Sequence, residues 1–370
     1  MPTPCYDFTK LLMLYCSMNK RGSASMLDDV NVINQRDPSG ALAAVQAVTE
    51  QARFEPEIVG EFDGRSIQNV VMAGMGGSAL AADMVKVLLG KEMSVPIEVV
   101  KGYDLPSYVN ESTLVIAISH SGNTEETLEC YTQARQKNCV TAAMATGGRL
   151  LEQAASDEVV HAAVPAGAQP RMSTVYHLRV LLKLLQQFQL TDDRLFNEIG
   201  DSSEWIGEKL SEWAADVPTE HNYAKQLAEQ TVGKTAVFYG GQLTAPIAYK
   251  WKISWNETAK NVAFWNQYPE FNHNEFMGWT SHPVEKPYAV FDLRSTFERP
   301  RIAERMELSD RMLSGMRPKA VPLQLIGDSL TRQFLWALAL ADMTSIYGAI
   351  LNNVDPTPVA MIETFKKSLS

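Results

Sequence analysis

Leu114-Val115-Ile116-Ala117-Ile118-Ser119-His120-Ser121-Gly122-Asn123-Thr124-Glu125-Glu126-Thr127 reads as a short β-strand, a hydroxyl-rich turn and the opening of a helix. Three hydroxyls, a glycine and a helix N-terminus in six residues suit a phosphate monoester. Backbone N–H groups and the helix dipole attract the anion, and Ser119, Ser121 and Thr124 offer further hydrogen bonds. Standing alone, the segment would be an ordinary Ser/Thr helix cap. It has a companion upstream. Val70-Val71-Met72-Ala73 is β-like, Gly74-Met75-Gly76-Gly77-Ser78-Ala79 is a turn, and Leu80 to Leu89 carries helical apolar spacing. Strands alternating with helices through this region predict a doubly wound parallel sheet.

The upstream turn also fits a relaxed dinucleotide fingerprint, Gly74-x-Gly76-x-x-Ala79, with Glu98 as the ribose-binding acid. That reading is the weaker one. Glu98 precedes Val99-Val100, near the start of its strand rather than the end. A dinucleotide also gives no reason for a second hydroxyl-rich turn after the next strand. Two loops closing on one compact phosphate explain both. In order and spacing, Gly76-Gly77-Ser78 with Ser119 to Thr127 resembles the sugar-phosphate pocket of sugar isomerase (SIS) domains. The resemblance implies that Gly77, Ser78, Ser119, Ser121 and Thr124 hold the phosphate.

Composition narrows the partners. The chain has 370 residues, enough for two domains, with 45% hydrophobic and 21% charged residues, the profile of a globular protein. A formal charge of −10 argues against nucleic acid or an anionic membrane as partner, so an anionic substrate must be held by local geometry. Cys5, Cys16, Cys130 and Cys139 show neither CxxC pairs nor disulfide density, which fits a reducing cytoplasm. The best membrane candidate, Phe334 to Ala341, is ended by Asp342, whose insertion at mid-span costs about 3 kcal/mol, so a buried helix is expected. Leu11 to Cys16 is apolar, but its basic residues Lys20 and Arg21 follow it, the wrong order for a signal peptide.

The expected organisation is a leader over 1–25, an N-terminal SIS lobe over 26–190, a polar connector over 191–218 with room for some helix, and a C-terminal SIS lobe over 219–370. Each lobe is expected to be an α/β, flavodoxin-like, doubly wound parallel sheet flanked by helices. Thr235-Ala236-Val237-Phe238-Tyr239-Gly240-Gly241 echoes the first strand and its glycine turn, and Tyr288 to Ser295 echoes the strand before the second loop. Arg294-Ser295-Thr296-Phe297-Glu298 has lost the hydroxyl-and-glycine chemistry, which leaves one phosphate site per chain.

Three further segments carry chemistry. Arg171 stands just before an expected helix, where its planar fork could clamp an oxyanion. Glu257, in Trp255-Asn256-Glu257-Thr258-Ala259-Lys260, ends a helix beside tryptophans, and His273 lies in Asn272-His273-Asn274-Glu275, flanked by Tyr268, Phe271 and Phe276. Read singly, these are a surface arginine, a helix-end carboxylate and a capping histidine. Together they resemble the bifunctional phosphoglucose/phosphomannose isomerases of the SIS superfamily, from about Asn31 to Lys367. Pro165-x-Gly167-x-x-Pro170-Arg171 is similar to that family's arginine segment, whose arginine meets the sugar phosphate or stabilises the enediolate.

The resemblance implies an aldose–ketose isomerase acting on glucose 6-phosphate and mannose 6-phosphate, with Glu257 as base and His273 as ring opener. It implies no cofactor and no metal, and a homodimer in which His273 crosses to the neighbouring subunit. Asp355-Pro356-Thr357-Pro358 with Lys366 resembles the family's C-terminal signature, with Thr357 bordering the sugar and Lys366 aimed at the site or solvated. The chemistry agrees with these roles: a glutamate is ionised at cell pH, and histidine exchanges protons near neutrality. The rivals are a non-catalytic sugar-phosphate sensor, which has no need of Glu257 and His273 together, and an isomerase of another phosphosugar, which usually has a single lobe.

Overall fold

The structure, a computed structural model, describes residues 25–281 and 286–369. Of the leader expected over 1–25, residues 1–24, with Leu11 to Cys16 and both N-terminal cysteines, lie outside the described residues, and Ser25 caps the 3-10 turn Met26–Asp28.

Six strands build the first sheet: β1 (Ile58–Val59), β2 (Asn69–Gly74), β3 (Ile97–Val100), β4 (Thr113–Ile118), β5 (Val140–Ala145) and β6 (Val160–Ala163). Their order is β1-β6-β5-β4-β2-β3. All pairings are parallel except β1 with β6. The five parallel strands follow the flavodoxin winding. Every residue of β4 and β5 is buried, which explains their near-continuous apolar sequences, interrupted only by Thr113 and Thr141: helices cover both faces, so no alternation is needed. The second sheet comprises β7 (Thr235–Gly240), β8 (Ala263–Gln267), β9 (Tyr288–Arg294) and β10 (Val321–Gln324), in order β10-β9-β7-β8 and parallel throughout. It repeats the winding with one parallel strand fewer.

The helices that bear on the site are α1 (Gly76–Leu89), α2 (Glu125–Gln136), α3 (Thr174–Gln187), α4 (Ala245–Glu257), α5 (Pro300–Met312), α6 (Leu330–Leu351) and α7 (Ala360–Leu369). Helix α1 packs on α3 and on α4, and α4 packs on α6, so the lobes meet through helices. One apolar cluster runs from Val70 and Leu114 through Ile247 and Trp251 to Phe334 and Leu338. The 22-residue α6 is long and apolar enough to cross a membrane, yet 94% of its most apolar window is buried in this core. Asp342 sits in it as the partner of Lys250, with Nζ to Oδ1 at 2.6 Å.

The segment expected as a polar connector is a packed helical layer, Arg194–Asp201 and Ser203–Ser211. Ser203 Oγ donates to the Thr49 carbonyl at 2.9 Å, and the Trp213 carbonyl accepts from Tyr347 Oη at 2.6 Å, tying it to both lobes. Cys130 and Cys139 are buried free thiols.

Candidate active site

The two loops noted in the sequence meet at the C-terminal ends of β2 and β4, where the winding reverses and α/β sheets bind ligands. The His120 N–H donates to Ser78 Oγ at 3.0 Å, joining one loop to the other. Ser119 Oγ accepts from the Gly122 amide at 3.0 Å and lies 2.9 Å from Thr124 Oγ1. Thr124 occupies the N-cap of α2 but its side chain caps nothing, and α1 likewise starts without a side-chain cap. An ordinary Ser/Thr cap would have consumed those amides. Ser121 is exposed at the mouth, and its Oγ accepts from the Asn123 amide at 3.2 Å. The acid of the dinucleotide alternative is engaged elsewhere: Glu98 accepts from Tyr108 Oη at 2.5 Å.

Arg171 is the centre of a second cluster. Its side chain is 1% exposed, in a short 3-10 turn over Pro170–Met172. Nη2 donates to the carbonyls of Pro356 and Thr357, both at 2.9 Å, and Nε donates to Thr258 Oγ1 at 2.9 Å. Nη1 is held loosely, 3.3 Å from Gln169 Oε1 and 3.5 Å from Glu257 Oε2. Burial pulls the guanidinium below its ordinary pKa, and the Glu257 and Asp342 carboxylates oppose that. From beneath, Lys250 Nζ donates to the Arg171 carbonyl at 2.5 Å, while Asp342 Oδ1 accepts from both Lys250 and Ser254. Lys250, Ser254 and Glu257 share one face of α4, three to four residues apart. Lys260 Nζ donates to the Glu257 carbonyl; burial, then the Arg171 charge, lower its pKa.

The clusters are physically joined. A Cβ at Gly77 would lie 3.1 Å from the Pro170 carbonyl oxygen and 3.3 Å from the Arg171 nitrogen, so a residue without a side chain lets the start of α1 press against the arginine turn. His120 Nε2 lies 3.1 Å from the Ala168 carbonyl, a second strut, from the loop after β4 to the arginine segment. With the Nε2 proton used there, Nδ1 is left as an unpaired buried lone pair facing the buried His177, whose ring centroid is 5.4 Å away.

Of the expected residues, the fold therefore gathers Gly77, Ser78, Ser119, Ser121 and Thr124 in one cradle and Arg171, Glu257 and Thr357 in an adjoining one. It does not bring His273 or Lys366 to them. His273 is exposed in the turn Glu270–His273, which packs on β8. Lys366 is exposed on α7, and among the described residues no hydrogen bond or ion pair joins either side chain to Arg171, Glu257 or Thr357. Sequence reasoning missed Thr258, the Pro356 carbonyl and the Lys250–Asp342 pair. The available signal was a lysine and an aspartate on helices whose remaining residues are largely apolar. Among the described residues, no cluster of His, Cys, Asp or Glu could hold a metal ion.

Residues 65–184 match the SIS domain family, and residues 220–369 match the bacterial phospho-glucose isomerase C-terminal SIS domain. The fold is shared with a glucose-6-phosphate isomerase like protein from Thermus thermophilus, at TM-score 0.61 and 17% identity, over 92% of this chain and 98% of that one. These matches, with the two-loop cradle, define a double-SIS protein of the phosphosugar isomerase class. At the level of sequence, the chain is 33% identical to the bifunctional phosphoglucose/phosphomannose isomerase of Caldicellulosiruptor bescii, covering 82% of this chain and 90% of the relative. It is 31% identical to the enzyme of that name from Aquifex aeolicus, covering 86% and 95%. The chain belongs to the bifunctional phosphoglucose/phosphomannose isomerase family.

Proposed function

We propose that this protein is a cytoplasmic aldose–ketose isomerase that interconverts glucose 6-phosphate and mannose 6-phosphate with fructose 6-phosphate. The observation that carries the reading is the Arg171–Glu257 pair, braced against the phosphate cradle through Gly77 and Pro170. Glu257 is partly exposed, at 27% of its side chain, as a base that meets substrate must be. The cradle would hold the phosphate through Ser78, Ser119, Ser121, Thr124 and the amides of α1 and α2. In the open-chain aldose, the Glu257 carboxylate takes the C2 proton, the C1=C2 bond forms, and O1 becomes an oxyanion. The proton returns to C1, the O2 proton is transferred to O1, and C2 is left as the ketone. The reaction is redox-neutral, with one hydrogen moved from C2 to C1 and one from O2 to O1. Arg171 Nη1, with only long contacts, has N–H capacity left to donate to the enediolate oxygen, while Nη2 and Nε hold the planar guanidinium in place.

The ring-opening step is assigned to His273 of a second subunit. Its turn lies beside β8, an edge strand that exposes Phe264 at 56% and follows Val262 at 61%, an apolar rim suited to a homodimer contact. Offering glucose 6-phosphate and mannose 6-phosphate separately in a coupled assay tests the activity; turnover of neither refutes it. Mixing Glu257→Gln chains with His273→Ala chains tests the composite site, because heterodimers regain one intact constellation. Freshly exchanged mixtures without recovered activity would place each site within one chain.

A further inference from the structure

The second lobe keeps a glycine turn where the first has its phosphate cradle, and a side chain of the protein itself sits against it. Strand register makes the comparison. Gly74 pairs with Ile118 in the first sheet. Tyr239 pairs with Asp292 in the second, which sets Gly240 beside Leu293. Counting on, the turn Gly74–Ser78 corresponds to Gly240–Thr244, and the loop 119–124 corresponds to 294–299. At the second loop the helix caps agree, Thr124 for α2 and Arg299 for α5, whereas after the glycine turn α4 begins at Ala245, three residues later than α1 begins in the first lobe. Glu298 thus falls where Asn123 stands in the first lobe. Its Oε2 accepts from the Leu243 amide, the counterpart of Gly77, at 2.8 Å. A Cβ at Gly241 would collide with that oxygen, so the carboxylate is seated directly against the glycine turn. Oε1 accepts from the Arg299 amide at 3.4 Å. Among the described residues Glu298 forms no salt bridge; backbone amides hold its charge, as they would hold a bound oxyanion.

We propose that the Gly241–Leu243 turn is a retained oxyanion cradle, and that Glu298 fills it as a built-in carboxylate, leaving one phosphate site per chain. Removing that carboxylate should open a site for a small carboxylate or phosphate. The proposal deepens the reading of the first lobe as a phosphate site, but its test does not depend on that reading.

The full chain carrying Ser119→Ala and Thr124→Ala, to silence the first lobe, is compared with and without Glu298→Ala. Thermal unfolding is followed in sodium formate, in inorganic phosphate and in sodium chloride of equal ionic strength. Glu298→Ala should lower the midpoint by a few degrees. Formate and phosphate should restore at least half of the loss with saturation, while chloride should not. Glu298→Gln keeps an oxygen for the Leu243 amide and should show neither the loss nor the rescue. Equal responses to formate and chloride in Glu298→Ala would overturn the proposal. If that variant is insoluble, refolding into formate against chloride gives the same readout, and failure in both salts likewise overturns it. A saturable phosphate response that persists in the double variant before Glu298 is changed would count against the first-lobe reading instead, with formate still deciding the cradle.

Discussion

Replacing Arg171 with lysine keeps the charge and removes the fork, which separates anchoring from catalysis. The guanidinium holds the Pro356 and Thr357 carbonyls and Thr258 Oγ1, all at 2.9 Å, while Nη1 faces Glu257. One ammonium nitrogen cannot span these acceptors. Losing two bonds from a charged donor, at about 1.5–3 kcal/mol each, puts the cost to stability at about 3–6 kcal/mol, comparable to breaking a buried pair. Losing one donor to a developing oxyanion raises the barrier by about 2.7–4 kcal/mol, a fall of roughly 100- to 1000-fold in kcat. The coupled assay should show this fall equally with glucose 6-phosphate and mannose 6-phosphate, since both pass through the same enediolate. Inhibition by inorganic phosphate should change little, because Nε and Nη2 are already committed to protein acceptors. The reasoning is refuted if kcat stays within about threefold of the parent. It is equally refuted if phosphate inhibition weakens in step with kcat, which would put Arg171 on the phosphate.

Ser119→Ala with Thr124→Ala should raise KM for every phosphosugar by about a hundredfold or more without changing which sugar is preferred, because hydroxyls bonding a charged group contribute about 1.5 kcal/mol or more each; loss of one sugar alone would place the phosphate elsewhere. Thr357→Gln should cut mannose 6-phosphate turnover by about tenfold relative to glucose 6-phosphate, about 1.4 kcal/mol of barrier, because rotation about C2–C3 needs the space a small residue leaves. Thr357 is fixed through its carbonyl and amide, so the fold should tolerate the change, and equal losses on both sugars would reduce Thr357 to a structural role. Burial pushes His177 down to about 3, whereas the unfolded chain protonates it near 6.5. The unfolded state then binds the extra proton, so stability present above pH 6.5 is lost as pH falls toward 3, by about 2 kcal/mol at pH 5. His177→Phe should flatten that slope in denaturant titrations from pH 8 to 5, and an unchanged slope would refute the assignment.

What could be read from the sequence depended on how local each signal was. The strands β2, β4 and β5 and the turns after β2 and β4 were legible because a buried parallel strand is an apolar run and an anion loop needs small hydroxyl residues in sequence. Strand β8 was not, since Phe264 and Trp265 are adjacent, bulky and both exposed, and an edge strand with one open side lacks the alternation that marks a half-buried one. The connector over 191–218 looked polar because its helices bury narrow stripes, Leu195, Phe196 and Ile199, then Ile206 and Leu210, under charged outer faces.

The site was legible as residue types and not as contacts. Arg171 could be suspected of meeting phosphate or enediolate; only the fold brings carbonyls from residues 356 and 357 onto its Nη2 and leaves Nη1 beside Glu257. Asp342 shows the limit most clearly. In an apolar run it reads as an obstacle to membrane insertion, and in the fold it fixes Lys250, whose ammonium fixes the Arg171 carbonyl. Removing one member of such a buried pair leaves the other uncompensated, at about 3–5 kcal/mol. That cost ties the placement of the arginine to two helices far from it in the chain. A charge inside an apolar helix is thus a positional statement about some other residue, and the sequence does not say which.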